Sequence, residues 1–531
     1  MKLYRFFIIY LFAAAATVSM AQKSSEEPPR LVVGIMVDGL QQKHLDLLWS
    51  YFDPNGFRKI AGQGASLTNV TYNFVSAGST PDIASVMTGS TPYYHGVTGD
   101  FFYSRLNDKV QSVIADDQQI GIGTQQTVSA HHLYASTILD ELSLAFPGKS
   151  KNYAVAIDAE EAIMLGGHTA RGVAWIDDEK LKWVTTGYYR DGLPRSADEM
   201  NVNGAFKSIA SRDWRPLYAI STYLSAAKSS SKDGFKYTPT DRKQKNMPAT
   251  ILKNTPSANS LVAELGLKII ADEKLGTDNV PDMLMLQFTV RAPKEKFFSL
   301  QSPEKEDMYL RLDRDIQNIL QKIDAQVGLD KTLVFLFTNQ TDVHSPTELG
   351  ENNIPAGYFS AGRSMALVNT YLMALYGQEK WIKGYYGKNI FLNKQKIDEK
   401  KLNFREIQQN VADFMHEFEG IQTAYPSWQI LTMAAGSGSE MARIRNSMHK
   451  NSMGDVVITL LPGWLEVDDK LNPVGESNAV LPYTPIYFYG WQIKPQHIKT
   501  PYQVTDIAPT LSRILNIPMP NACIGKPVSE L

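Results

Sequence analysis

A single cysteine, Cys523, stands in 531 residues, so the chain can form no internal disulfide and no cysteine-built zinc site. A lone thiol of this kind reads as a small apolar core side chain. Excess charge of one sign is missing too: 53 Lys and Arg against 55 Asp and Glu leave a formal net charge of −2. That balance offers no basic footprint for nucleic acid and no polyanionic tail. Internal repeats are absent, and low complexity is confined to Ser229-Ser230-Ser231. Beyond the N-terminus no apolar run approaches the ~20 residues that a membrane-spanning helix requires.

The first residues look like a targeting segment. Lys2 and Arg5 precede an apolar stretch from Phe6 to Val18, and Ser19-Met20-Ala21 offers a small-residue cleavage site before Gln22. No cysteine follows, which excludes a bacterial-type lipid anchor on cysteine. The expectation is a cleaved signal peptide over 1–21, a tether over 22–30, and a periplasmic or secreted product with no transmembrane segment after cleavage.

Short runs rich in Val, Ile and Leu recur at Leu31–Val37, Tyr153–Ile157, Met283–Thr289, Thr332–Thr338, Val456–Leu461 and Pro485–Tyr489. They lack polar alternation, as expected of strands covered on both faces of a parallel sheet. Helical patterns lie between them. Ser302-Pro303 reads as N-cap and first-turn proline, and Tyr309, Leu312, Ile316, Ile319, Leu320 and Ile323 mark one face before Gly328. Further helices are expected from Ser257 to about Lys274 and from Thr505 to Leu515. Strands alternating with helices predict an α/β fold with a doubly wound, mostly parallel sheet. Two stretches richer in Tyr, Lys, Asn and Gly, 176–255 and 350–450, read as cap insertions, leaving core segments at 31–175, 256–349 and 451–531.

Two segments carry chemistry. Leu31–Asp38 is an apolar run ending in an acid, and a later run reads Ser79-Thr80-Pro81-Asp82, then Thr88-Gly89-Ser90-Thr91-Pro92-Tyr93-Tyr94-His95-Gly96. With Ala162–His168, Thr186–Pro194, Tyr309–Asp315, Gly454–Val457 followed by Pro462-Gly463-Trp464, and Thr505–Thr510, they resemble, in order, the Bacteroidetes-type phosphate-irrepressible alkaline phosphatases. Those are relatives of the nucleotide pyrophosphatase/phosphodiesterases in the alkaline phosphatase superfamily. The resemblance runs from about residue 31 to the C-terminus and implies an alkaline-phosphatase-type sheet with cap insertions.

Such enzymes hold two zinc ions with three carboxylates and three histidines, and activate a Thr or Ser between them. Metal lowers the hydroxyl pKa and takes up charge on the leaving oxygen. By this resemblance Asp38 matches the first carboxylate and Ser79 the nucleophile, with Thr80 beside it. The other positions are exchanged. The segment after the third core strand reads Phe288-Thr289-Val290-Arg291-Ala292-Pro293-Lys294-Glu295-Lys296, with cations where ligands belong. The family's Ala-Asp-His-Gly becomes Asn339-Gln340-Thr341-Asp342, and the last ligand histidine becomes Tyr483. The phosphate-holding positions change sign: Asp100 replaces an asparagine, and Asp158 and Glu160 stand in the segment of a lysine and an arginine. A phosphate dianion would there meet like charges, each worth about 4 kcal/mol at 4 Å and an effective dielectric near 20.

The expectation is therefore an exported pseudophosphatase, without metal, acting as a binding or scaffold component toward an envelope protein or ligand. The alternative is an active phosphomonoesterase or phosphodiesterase using Ser79, with zinc on a set such as Asp38, Asp82, Asp342 and His344. A third form holds one calcium or magnesium ion in the acid cluster. Structural roles compete at each position: Ser79 as a helix N-cap, His95 as a turn-holding histidine, and Trp183, Tyr188, Tyr189 and Trp214 as packing. If the zinc pair is gone, one of Arg291, Lys294 and Lys296 should neutralise Asp38, Asp158 or Glu160.

Overall fold

The computed structural model describes residues 27–75, 77–228, 234–239, 248–291, 302–340, 346–432, 438–468, 470, 474 and 483–531. The N-terminal segment read as a signal peptide, with Lys294, Lys296, Asp342 and His344, lies outside them.

Every residue of the Leu31–Asp38 strand is buried. It runs parallel to Thr332–Phe337 on one side and to Asp282–Thr289 on the other, pairing Asp38 with Thr289. The continuous apolar composition follows from that position, since neither face meets water. Gly34 lets the neighbours close over it: a Cβ there would lie 2.3 Å from Met285 Cε and 2.7 Å from Phe335 Cζ.

Around this strand an 11-stranded sheet is ordered Gln496–Ile498, Ala65–Thr71, Thr484–Gly490, Thr332–Phe337, Leu31–Asp38, Asp282–Thr289, Asn152–Val155, Gly172–Ile176, Trp183–Thr186 and Gly121–Ile122, with Tyr502–Gln503 paired beside Ala65–Thr71. The block from Thr332–Phe337 to Gly172–Ile176 is parallel. Thr484–Gly490 and Trp183–Thr186 join antiparallel on either side. The mostly parallel α/β sheet expected from the strand runs is present. Its edge takes in Trp183–Thr186, a strand within the stretch read as insertion from residue 176.

Helices cover both faces. Pro303–Gln326 begins as its sequence indicates, with the Ser302 hydroxyl accepting from the Lys305 N–H at 3.2 Å. Its apolar stripe from Tyr309 to Ile323 packs in one core cluster with the Pro256–Asp272 helix and the Leu31–Asp38 strand. Each such aliphatic side chain contributes about 1.5–3 kcal/mol on full burial. The second face is closed by Ser79–Thr88, Ala159–Gly166 and Ile507–Leu515.

Two apolar runs depart from expectation. Pro485–Tyr489 joins the main sheet antiparallel to both neighbours. Val456–Leu460 is buried but lies outside the main sheet, in a four-stranded antiparallel sheet with Ile382–Tyr386, Asn389–Leu392 and Ile421–Pro426. The Phe404–Met415 and Ala361–Tyr376 helices pack with it around Val368, Leu372, Trp381, Ile407 and Val411. A strand covered by helices reads apolar whatever the direction of its neighbours, so composition did not separate the two sheets.

A buried acid ties the region after residue 205 to the core. Asp307 accepts from Trp214 Nε1 at 2.6 Å, Leu217 N at 2.7 Å, Tyr223 OH at 2.5 Å and Arg311 Nε at 2.6 Å. Trp214 is thereby a packing residue with its indole N–H satisfied. Asp307→Ala removes the acceptor of the buried Trp214 indole N–H and Tyr223 hydroxyl and the carboxylate partner of Arg311. It should lower unfolding free energy by about 3 kcal/mol in denaturant titration, with early proteolysis between residues 205 and 239.

Candidate functional site

Asp38 ends the central strand at the C-terminal edge of the parallel block, where open α/β sheets place their sites. Its carboxylate is fully engaged. Oδ2 faces Arg291 Nε at 2.5 Å, and Oδ1 accepts from Arg291 Nη2 at 3.0 Å and from Asn339 Nδ2 at 2.7 Å. Asn339 in turn accepts from the Gly39 N–H at 3.0 Å, and the Thr289 hydroxyl lies 3.4 Å from Oδ2. Arg291 follows the neighbouring strand by two residues, and its N–H donates to the Thr289 hydroxyl at 3.0 Å. The register pairing Asp38 with Thr289 thus delivers the guanidinium to the acid.

Ser79 opens the Ser79–Thr88 helix. It is not the N-cap: Gly78 is, at φ 134°, and Ser79 makes no capping bond. A Cβ on Gly78 would lie 2.6 Å from both carboxylate oxygens of Asp100, so glycine admits that acid to the helix start. The Ser79 hydroxyl donates to Glu161 Oε1, and the Thr80 hydroxyl to Asp100 Oδ1, which also accepts the Thr80 N–H at 3.2 Å. Asp82 is buried on the next turn and accepts from Gln340 N at 2.6 Å. His95 holds the following turn, its Nδ1 accepting from Val97 N at 3.2 Å while Nε2 meets Ser85 Oγ at 2.9 Å.

Asp158 and Lys253 complete the wall. Lys253 Nζ stands 2.7 Å from Asp158 Oδ1 and also contacts Asp178. Burial opposes its charge, and the two carboxylates outweigh that and raise its pKa. Asp38, Ser79, Asp100, Asp158, Glu161, Lys253, Thr289 and Arg291 line one cavity of about 550 Å³ with Phe101 and Tyr386. Asp38, Ser79, Asp100 and Asp158, far apart in sequence, therefore share a site.

The structure corrects one detail: the acid at this wall is Glu161, and Glu160 does not line the cavity. Ala159–Gly166 is a helix, so adjacent residues point about 100° apart and only one of two acids faces the cavity. Burial and the Asp158 charge push Glu160 up to about 7, and Glu161 and Asp100 are raised chiefly by burial. Lys253 carries no motif in sequence. Only its place in the short Pro248–Lys253 helix, just ahead of Pro256–Asp272, brings it to Asp158.

The described donors do not fit a bimetal centre. Among the described residues no three His, Cys, Asp or Glu side chains are grouped so as to hold a metal ion. Asp38 is already bonded to a guanidinium and an amide, and the amide Asn339 makes a weaker ligand than a carboxylate. The pairing expected from the charge swap is present between Arg291 and Asp38.

Arg291→Gln strands a nearly buried acid. With Arg291 39% and Asp38 10% exposed, the loss should be about 1–3 kcal/mol in chemical denaturation, and adding Asp38→Asn should recover part of it. Glu160 sets a pH dependence. Its carboxyl is held above the ordinary 4.5 at about 7, so the ionised form destabilises the fold, fully above about pH 7 and not below about 4.5. Glu160→Gln should therefore be more stable than the parent at pH 8, by about 1–3 kcal/mol, and the advantage should vanish in melts at pH 4.5.

Sequence and structure comparisons identify the family and the fold. Residues 32–481 match the type I phosphodiesterase / nucleotide pyrophosphatase family. Alkaline phosphatase PafA of Elizabethkingia meningoseptica is 27% identical over 526 residues, covering 96% of each chain. A protein of Myroides odoratus named calcium-transporting ATPase is 28% identical, again over 96% of each. The crystal structure of wild type alkaline phosphatase PafA superposes with a TM-score of 0.87 at 26% identity, covering 95% of this chain and 99% of that one. With its sheet, its Asp38 and Ser79 positions and this match over most of its length, the chain belongs to the type I phosphodiesterase / nucleotide pyrophosphatase family of the alkaline phosphatase superfamily.

Proposed function

We propose that this member of the phosphodiesterase/phosphatase family is a catalytically impaired pseudophosphatase, exported to the periplasm or beyond, that serves as a binding or scaffold component of the envelope. The observation that carries the proposal is the Arg291 guanidinium seated on Asp38. A protein cation there neutralises the acid that the resemblance assigns to zinc. The remaining wall supports the same reading: Asp100, Asp158 and Glu161 line the cavity where phosphate-holding groups would be needed. The N-terminal Phe6–Val18 stretch and its small-residue site support export. Among the described residues no helix is long and apolar enough to cross a membrane.

A second reading keeps the hydrolase. The similar proteins include a named alkaline phosphatase, and Ser79 faces the same cavity as Asp38. Activity would then run through Ser79, and metal through a set including Asp342 and His344. A pocket gripping one calcium or magnesium ion is the third form.

Two measurements decide. Metal analysis of protein purified without chelator should find neither two zinc ions nor one calcium per chain. Aryl phosphate mono- and diesters, with and without added zinc, should show no turnover that Ser79→Ala removes. Turnover abolished by Ser79→Ala would establish the hydrolase instead.

A further inference from the structure

Beside the polar cavity lies a second, apolar one. About 240 Å³ of space lies between the Phe101–Ser104 and Lys109–Ser112 hairpin and the four-stranded sheet, walled by Phe102, Tyr103, Tyr385, Phe391, Ile444 and Met448. Ala77, Phe101 and Tyr386 line both spaces, so the two adjoin at those residues. Tyr386 lines the polar chamber together with Asp100, and burial and the Asp100 charge push its phenol up to about 12.

The acidic groups facing the polar chamber are not all paired with a cation. Asp38 is neutralised by Arg291 and Asp158 by Lys253. Asp100 and Glu161 have no ion-pair partner among the described residues; their bonds run to the Thr80 and Ser79 hydroxyls. Glu161 Oε2 is buried with no hydrogen-bond partner. An orphaned buried carboxylate oxygen is costly unless a donor reaches it. A metal ion would need several oxygen ligands at once, and no such group is assembled among the described residues. An ammonium group needs only acceptors at hydrogen-bonding distance, which two carboxyls and two hydroxyls supply. A positive group also gains from the aromatic faces of Phe101 and Tyr386 beside it.

We propose that the two chambers form one cleft for an amphiphilic amine, its ammonium held by Asp100 and Glu161 and its apolar body lodged in the aromatic chamber past Tyr386. The proposal rests on the site being a binding pocket, and gives that pocket a ligand class. The same walls disfavour an amphiphile with a phosphate or carboxylate head, since Lys253 and Arg291, the cations lining the chamber among the described residues, are already seated on Asp158 and Asp38.

The experiment is calorimetric titration of the full chain with octylamine, octanol, octanoate and octyl phosphate. Octylamine should bind at least about tenfold more tightly than the other three, the order expected of a charge-assisted hydrogen bond. Asp100→Asn and Glu161→Gln should each weaken octylamine by about fivefold or more and leave octanol unchanged. Met448→Trp, which fills the apolar chamber, should weaken octylamine and octanol alike, with an unaltered melting temperature confirming the fold. The proposal is overturned if octylamine binds no better than octanol or octyl phosphate, or if neither acid substitution changes its affinity. Phosphate released from octyl phosphate is assayed on the same samples. Release that Ser79→Ala abolishes would defeat the pseudophosphatase reading, while octylamine affinity alone decides the ligand class.

Discussion

A carboxylate at the end of a wholly buried central strand must meet a positive charge, and the rest of this site is arranged around that requirement. Asp38 sits where a parallel sheet leaves its side chain close to the core and 7% exposed. Water cannot solvate it adequately, and an uncompensated charge there would cost several kcal/mol. The neighbouring strand answers with Arg291, whose fork presents two N–H groups to one acid. Asn339 adds a third bond and ties the carboxylate to the turn at Gly39. The pair therefore fixes the relative position of three strand ends, and with them the floor of the cavity.

The remaining acids are accommodated by different means, which gives the pocket its character. Asp158 shares Lys253 with Asp178. Asp100 takes the hydroxyl and N–H at a helix start, where the positive end of the helix favours it. Glu161 takes the Ser79 hydroxyl, and burial holds its proton on more tightly than usual. That bond holds the Ser79 hydroxyl in one orientation at the cavity wall. The same side chains that disfavour a phosphate dianion thus form a coherent acceptor surface.

The whole frame resembles a working alkaline phosphatase to a TM-score of 0.87, because that frame depends on buried apolar strands and the helices that cover them. Those contacts are indifferent to what the loops at the strand ends carry. Chemistry belongs to a handful of loop side chains, so it can change while the core is retained.

The apolar runs determined by themselves that the chain would form a mostly parallel α/β sheet, since strands covered on both faces leave an unmistakable composition. The order of motifs from Leu31 to Thr510 likewise placed Asp38 and Ser79 at the sheet edge, and the cations after Phe288 foretold that one of them would pair with Asp38, Asp158 or Glu160, without saying which. Other features were decided only by the folded chain. Val456–Leu460 reads like a core strand yet pairs in a separate antiparallel sheet, because burial leaves the same signature in either direction. Glu160 and Glu161 are equivalent in the string of letters, and helix phase alone turns Glu161 to the cavity. Lys253 reaches Asp158 across 95 residues with no local pattern to announce it. The placing of a polar beside an aromatic chamber at Tyr386 is a relation between distant segments that periodicity, which reports only on near neighbours, does not encode.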